Sequence, residues 1–294
     1  MTTPQNNIPD GTAPLVPPPA VPATPSETPR RGPGAKAIMI VTGVVGGIAL
    51  FGTGASAAGN VVSDLSRSDS FQSVGVAGVT RVDMRVDASD VTLQFGDVDE
   101  AVLEVTDGRG GSWTLGRDGD ELVVRSPDAV FGWWSGSWFG AGETVVLTLP
   151  ERLQTAGVDA DLNLTAGSLD VDGAFGDLSV DVSAGALTVA GSARSLDAQM
   201  GAGRADILLD GVDEAGLNVS AGNLMVRFTG TPPSATSVDA SAGSVRLTMP
   251  DEQYLIVQDV SAGTLDATVD QSASARRVID VTLSAGTVVI RPGG

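Results

Sequence analysis

The stretch LNVSAGNLMV (217–226) decides the fold, because the chain repeats its pattern many times. VDVSAGALTV (180–189) and VTLSAGTVVI (281–290) are further copies. Each copy has apolar residues at alternate positions, then Ser-Ala-Gly, then alternate apolar residues again. A period of two is typical of a β-strand with one buried face. Each copy therefore predicts two strands that meet at an Ala-Gly corner.

The Ala-Gly corners recur at nearly constant spacing, which identifies one structural unit of about 20 residues. Successive corners are 18, 18, 19, 21, 20 and 23 residues apart. The seven corners are Ala166-Gly167, Ala184-Gly185, Ala202-Gly203, Ala221-Gly222, Ala242-Gly243, Ala262-Gly263 and Ala285-Gly286.

Aligning the copies on the corner glycine gives four inward positions, at five and three residues before it and at two and four after it. They are apolar in nearly every copy, with Gln258 as the exception. The Ala, one residue before the glycine, continues the alternation of the inward positions before the corner. After the corner the alternation is shifted by one residue. We therefore expect a bend with the small Ala inside it and with Gly supplying backbone freedom.

A degraded copy lies upstream, with Met84 and Val86 before the corner and Val91 and Leu93 after it. Ser89 stands at its glycine position. Residues 96–150 separate this copy from the regular array, and they predict further strands joined by Gly- and Asp-containing turns. The β-repeat region is therefore predicted to cover residues 72–292.

Units that each bury one face must stack to share a core. The sequence thus predicts an all-β fold, a β-solenoid-like stack of strand-corner-strand repeats. A β-sandwich of successive hairpins is the alternative, since the repeat does not fix parallel against antiparallel pairing.

With its V-x-V-S-A-G-x-L-x-V repeats, the region resembles the bacterial putative-adhesin domain family, a β-strand-repeat family of cell-envelope proteins. The resemblance implies the architecture and a role in adhesion or envelope contact. It implies no catalytic residues.

The N-terminal part predicts a membrane anchor. Residues 1–36 hold ten of the 16 prolines, which predicts a disordered tail. Residues 37–58 carry no charge and are long enough for one transmembrane helix. Three basic residues precede this span within seven positions, so the tail is predicted to be cytoplasmic and the region after the linker 59–71 extracellular.

Two further possibilities concern the same segment. Cleavage near Ala57 would release a secreted protein, because Ala-Ser-Ala there resembles a signal-peptidase site. Gly43 and Gly47 form a GxxxG pattern, so a helix-mediated dimer is possible.

Composition excludes several classes of function. The chain has no Cys and no His, which leaves no disulfide, no Cys or His metal site and no His-based triad. Its net charge is −19, which argues against nucleic acid as a partner. We expect no enzyme activity, no cofactor and no metal. The outward carboxylates are predicted to form a solvated face rather than a Ca²⁺ ladder; they include Asp159, Asp161, Asp170, Asp172, Asp177 and Asp181.

Residues 131–139 are the one aromatic cluster in a chain that is 4% aromatic. Gly and Ser interleave the rings, so a loop is predicted. Such a loop either contacts a partner or plugs an open end of the core. The candidate interaction residues are Phe131, Trp133, Trp134, Trp138 and Phe139.

Three hypotheses about function follow. The first is a membrane-anchored envelope protein whose non-enzymatic ectodomain contacts a wall polymer, a surface or another envelope protein. The second is a sensing or regulatory ectodomain coupled to the cytoplasmic tail. The third and weakest is a polysaccharide-acting enzyme, for which no pair of carboxylates stands out.

Overall fold

The computed structural model describes residues 68–108, 111–127 and 143–293. Strands dominate these residues, which confirms the all-β prediction. The strands are β1 (Ser68–Gly75), β2 (Arg81–Val86), β3 (Ser89–Gly96), β4 (Glu100–Gly108), β5 (Thr114–Asp118), β6 (Glu121–Arg125), β7 (Thr144–Pro150), β8 (Asp159–Leu164), β9 (Gly167–Val182), β10 (Ala186–Asp210), β11 (Glu214–Thr229), β12 (Ala235–Ala240), β13 (Ser244–Met249), β14 (Tyr254–Val260), β15 (Thr264–Ala267), β16 (Arg277–Leu283) and β17 (Thr287–Pro292). One short helix, α1 (Glu151–Ala156), joins β7 to β8.

The predicted tail 1–36 and membrane span 37–58 lie outside the described residues. So do residues 59–67 of the predicted linker. In the part of the chain that the structure describes, no helix is long and apolar enough to cross a membrane.

The strands before and after the corners pair into two separate rows. The first row runs in the order β6, β2, β8, β9, β10, β11, β12, β16, β14. The second runs β7, β3, β9, β10, β11, β13, β17, β15. The long strands β9, β10 and β11 run without interruption through a corner, through the turn between two units, or through both, and so contribute to both rows.

Pairing within both rows is parallel. The repeat in the sequence did not distinguish parallel from antiparallel pairing. Each unit lies in register on its neighbour, so that Ala202 and Gly203 pair with Ala221 and Gly222. Between residues 159 and 293 each strand pairing is parallel, and the hairpin alternative therefore does not describe this region.

The corners differ from the prediction in which residue faces inward. Ala184 is exposed, as are most of the other corner alanines, so the expectation of an inward Ala is wrong. The glycine makes the close contact instead. A Cβ on Gly185 would lie 2.5 Å from the carbonyl oxygen of Gly167, and one on Gly203 would lie 2.2 Å from that of Gly185. Backbone stacking, together with a positive φ of 133° at Gly185, is what requires glycine there.

The four inward positions are confirmed by burial. Leu217, Val219, Leu224 and Val226 are all 2% exposed or less, and the equivalent residues of the other units join them in one apolar core. The upstream copy belongs to the same array: Ser89 pairs with Gly167, in register with the glycines of the other corners.

The exception is the unit β14–β15. Its inward residues Ile256, Leu265 and Ala267 are half-buried, while Gln258 and Val260 are exposed.

The order of units in space departs from their order in the chain at both ends. The last unit, β16–β17, lies between β12–β13 and β14–β15. At the other end the first unit, β2–β3, lies between β6–β7 and β8–β9. The outermost units are therefore β6–β7 and β14–β15, and neither contains a chain terminus of the described region.

Candidate interaction site

The five candidate aromatic residues, Phe131, Trp133, Trp134, Trp138 and Phe139, lie outside the described residues, but the residues on both sides of them are described. β6 pairs with β2, and β7 pairs with β3, so β6 and β7 form a regular parallel unit. Arg85 and Asp90 pair with Arg125 and Thr144, and the unit β2–β3 has only the four residues 86–89 between them. In β6–β7 the eighteen residues 126–143 stand between the same two strand positions. The aromatic cluster thus belongs to an insertion at a corner.

Hydrogen bonds attach both ends of this insertion to the neighbouring corner. The Ser126 amide donates to the carbonyl oxygen of Arg85 (3.0 Å), and the Ser126 hydroxyl accepts from the amide of Asp87 (2.9 Å). At the far end, the Ser89 hydroxyl donates to the Glu143 carboxylate (2.8 Å). These bonds place the two ends on the row of corners, at the outermost parallel unit.

The core at this end is covered by Trp113 and Leu115, which no pattern in the sequence singles out. Trp113 is 3% exposed and Leu115 is 7% exposed. The Trp113 indole donates to the same Glu143 carboxylate (2.9 Å). Gln72 of β1 donates to the Trp113 carbonyl (2.7 Å) and accepts from the Leu115 amide (3.1 Å). Gln72 therefore links β1, the edge of the second row, to β5.

Three antiparallel pairings complete this closed end, which we define as β1, β4 and β5 with Trp113. β4 pairs with β7 and β1 pairs with β4, which extends the second row. β5 pairs with β6, which extends the first row.

An ion pair lies on the outer surface of the first row near the closed end. Arg125 binds Asp83 through two hydrogen bonds of 2.8 and 2.7 Å. Burial alone would raise the pKa of Asp83, but the hydrogen bonds and charge of Arg125 outweigh it and lower the pKa. Burial, together with the Asp83 carboxylate, raises the pKa of the neighbouring Glu121.

A shallow groove of about 600 Å³ crosses the outer surface of the first row. Its carboxylates come from consecutive units, and small side chains such as Gly216 and Ser237 leave room between them. Asp177, for example, accepts hydrogen bonds from Ser195 (2.7 Å) and from Arg194 (3.2 Å). The groove is lined by six acidic residues: Asp159, Asp161, Asp177, Asp197, Glu214 and Asp280.

The predicted solvated face is consistent with this surface. Asp170, Asp172, Asp177 and Asp181 are exposed, and Asp159 and Asp161 are half-buried. Among the described residues, no group of three or more acidic side chains is arranged to hold a metal ion.

Comparisons with known proteins give distant similarities only. No protein-family model matches the sequence, and no curated protein matches it. A putative adhesin from Bacteroides fragilis NCTC 9343 is 13% identical, with 77% of this chain and 98% of that chain covered and a TM-score of 0.48. A putative cell adhesion protein from Clostridium sporogenes ATCC 15579 is 11% identical, with 77% and 99% covered and a TM-score of 0.34. Similarities this distant carry no function over to the present chain.

Proposed function

We propose that this protein is a non-enzymatic component of the cell envelope, in which a β-solenoid-like stack presents the aromatic segment 131–139 to a wall polymer, a surface or another envelope protein. The stack is the scaffold and the aromatic segment is the contact element. Residues 37–58 would hold the chain in the cytoplasmic membrane with its N-terminus inside.

The insertion at the β6–β7 corner is the observation that carries the proposal. The neighbouring unit connects the equivalent positions with four residues, so the fold itself does not require eighteen. Three of the four tryptophans of the chain lie in the added length. Aromatic side chains are enriched at contact surfaces, because they bury a large area with few rotatable bonds.

We favour this contact role over the alternative, in which the aromatic segment plugs the core, because other residues pack over the core at this end. Trp113, Leu115 and Gln72 already cover the core at this end. A plug would have to cover apolar surface that these residues leave open. The inward residues Leu122 of β6 and Leu147 of β7 are fully buried.

The test is a binding measurement with two matched variants of the full chain in detergent. In the first, Trp133, Trp134 and Trp138 are changed to Ser; in the second, the exposed Asp170 and Asp172 of the second row are changed to Asn. We expect the aromatic variant to keep its thermal unfolding temperature and to lose co-sedimentation with isolated cell envelopes. The aspartate variant should keep both. An aromatic variant that unfolds early would support the plug instead, and one that still binds would refute the contact role.

A further inference from the structure

The end of the two rows opposite to the closed end is formed by β14 and β15, which we call the open end. β14 pairs with β16 on one side. On its other side the described chain covers only the first residue, where Tyr254 bonds to Asp270 and Ser272. Residues 255–260 therefore present unpaired backbone donors and acceptors, a ready template for another strand.

The open end also exposes apolar side chains. Only four large apolar residues are exposed in the described parts of the chain, and two of them, Val257 (46%) and Val260 (38%), lie on this strand. Ile256, Leu265 and Ala267 beside them are half-buried, since no unit covers them. An exposed edge of this kind, with apolar side chains on it, favours association.

We infer that the open end is a self-association site, at which β14 pairs antiparallel with β14 of a second copy about a two-fold axis at Val257. Such a contact is isologous and closes at a dimer. The two first rows would continue into one another, and the inward residues of each end unit would cover those of the other.

The charges of β14 suit this symmetric pairing. Asp259 is the single charged residue between 254 and 260. With the axis at Val257, Asp259 of one copy faces Leu255 of the other rather than a second carboxylate. Gln258 faces Ile256, and both belong to the inward side of the row. Like charges that face each other directly across a strand pair are unfavourable, and this register avoids them.

The described region enters the two rows at the closed end and not at the open end. The first 67 residues join the described region at β1, and β1 lies at the closed end. This inference does not depend on the role proposed for the aromatic segment.

Cysteine crosslinking provides a sharp test, because the chain contains no Cys. In a two-fold pair centred on Val257, the two copies of a Val257→Cys variant bring their own Cα atoms to about 4.5–5.5 Å, within disulfide range. Mild oxidation of the full chain in detergent should then give a covalent dimer. Thr188→Cys, on the exposed side of the second row, is the matched control and should stay monomeric.

The oligomeric state supplies the second measurement, by sedimentation equilibrium of the full chain. Val257→Lys should lower the association constant about tenfold, because two ammonium groups would then meet at the axis. Phe71→Lys, the same change on the edge strand of the closed end, should leave it unaltered. The double variant Gly43→Leu/Gly47→Leu removes any dimer formed through the predicted helix.

Two results would overturn the inference. The first is a pair of negative results: the Gly43→Leu/Gly47→Leu variant is monomeric, and at the same protein concentration Val257→Cys crosslinks no faster than Thr188→Cys. The second is a dimer that Phe71→Lys dissociates and Val257→Lys does not. Circular dichroism of each variant verifies that the β-structure is retained.

Discussion

The closed end and the open end finish the same repeat in different ways. At the closed end, antiparallel strands extend both rows, and the Gln72 amide joins β1 to β5 through hydrogen bonds with Trp113 and Leu115. At the open end, β14–β15 is an ordinary parallel unit, and among the described residues only 270–272 bond to its outer edge. Stacked units bury their apolar faces only between neighbours, so an end needs either a separate cap or a polar unit.

The polar residue Gln258 in the end unit β14–β15 explains why the last unit of the chain, β16–β17, does not lie at the end of the rows. Gln258 occupies an inward position, and in β14–β15 it is exposed. If the units stacked in chain order, Gln258 would be enclosed between Val238 and Val281, which are 1% and 0% exposed. A buried amide without partners costs about 1–3 kcal/mol. In the single chain, inserting β16–β17 leaves that amide exposed.

The largest effect is expected from removing the inserted unit. A chain that ends at Ala275 lacks β16 and β17, with which β14 and β15 pair, so the open end should come apart. Tyr254, the only tyrosine, reports this directly. Burial raises its pKa to about 12, and in the truncated chain the pKa should fall to about 10. An absorbance titration of the phenolate measures it.

The outcome that would contradict this explanation is an unchanged tyrosine titration. It would mean that β14 had moved directly onto β12 and that the burial of Gln258 is tolerated. The sign of the effect in the intact chain also follows: the stability that comes from burying a neutral Tyr254 is complete below pH 10 and is lost as the pH rises through about 12.

At the closed end, Trp113→Ala should destabilise the fold by about 3–5 kcal/mol, because it removes a nearly buried ring and its hydrogen bond to Glu143. Urea unfolding followed by far-ultraviolet circular dichroism measures the change. Trp133→Ala, inside the insertion, should stay within about 0.5 kcal/mol of the parent chain. Equal losses at the two sites would show that the insertion belongs to the cap.

Corner glycines give a graded comparison between the ends. Gly167→Ala places a Cβ about 2.3 Å from the Ser89 carbonyl oxygen at a φ of 96°, and it should cost about 1–3 kcal/mol. Gly263 has similar geometry against Gly286, but its unit has a neighbour on one side only. Gly263→Ala should therefore cost less, because β14–β15 can move outward. Unfolding free energies of the two variants test this, and equal costs would argue for a rigid open end.

An effect similar in size to that of Gly167→Ala is expected at the ion pair. Asp83→Asn leaves the Arg125 guanidinium without its two charged hydrogen bonds and should cost about 1–3 kcal/mol at neutral pH. The pKa of Asp83 is lowered, so the stability it contributes is present above the ordinary aspartate pKa near 4 and is lost as the pH falls through the lowered value. The difference between variant and parent should thus vanish in strong acid. A difference that persists there would assign it to packing.

Sequence periodicity predicted the repeat well, for a local reason. Inward residues such as Leu217 and Leu224 are apolar because they lie on the buried face of a strand. Successive residues of a strand point to opposite faces, so apolar residues recur with a period of two in the sequence. The corner itself was predicted less well. Glycine and alanine are both small, and only the contact of Gly185 with the Gly167 carbonyl reveals which of them is constrained.

The candidate site was predicted in part. Composition alone singled out the aromatic residues at 131–139. It could not show that they belong to a corner insertion, because that depends on the pairing of β6 with β2, in which Arg81 pairs with Glu121, 40 positions further along the chain. Trp113 and Gln72 carried no signal in the sequence. Their importance comes from which strands lie at the edge of each row.

By itself, then, the sequence determined the unit, which consists of two strands, a corner glycine and four inward positions. These features depend on interactions between residues that are close in the chain or that occupy equivalent places in adjacent units. The tertiary structure alone decided the order of the units, the parallel pairing and the unlike ends. Repeats that share one register can stack in several orders with similar local geometry. The choice among those orders rests on a few residues, such as Gln258 and Trp113, whose environments exist only after the rows have formed.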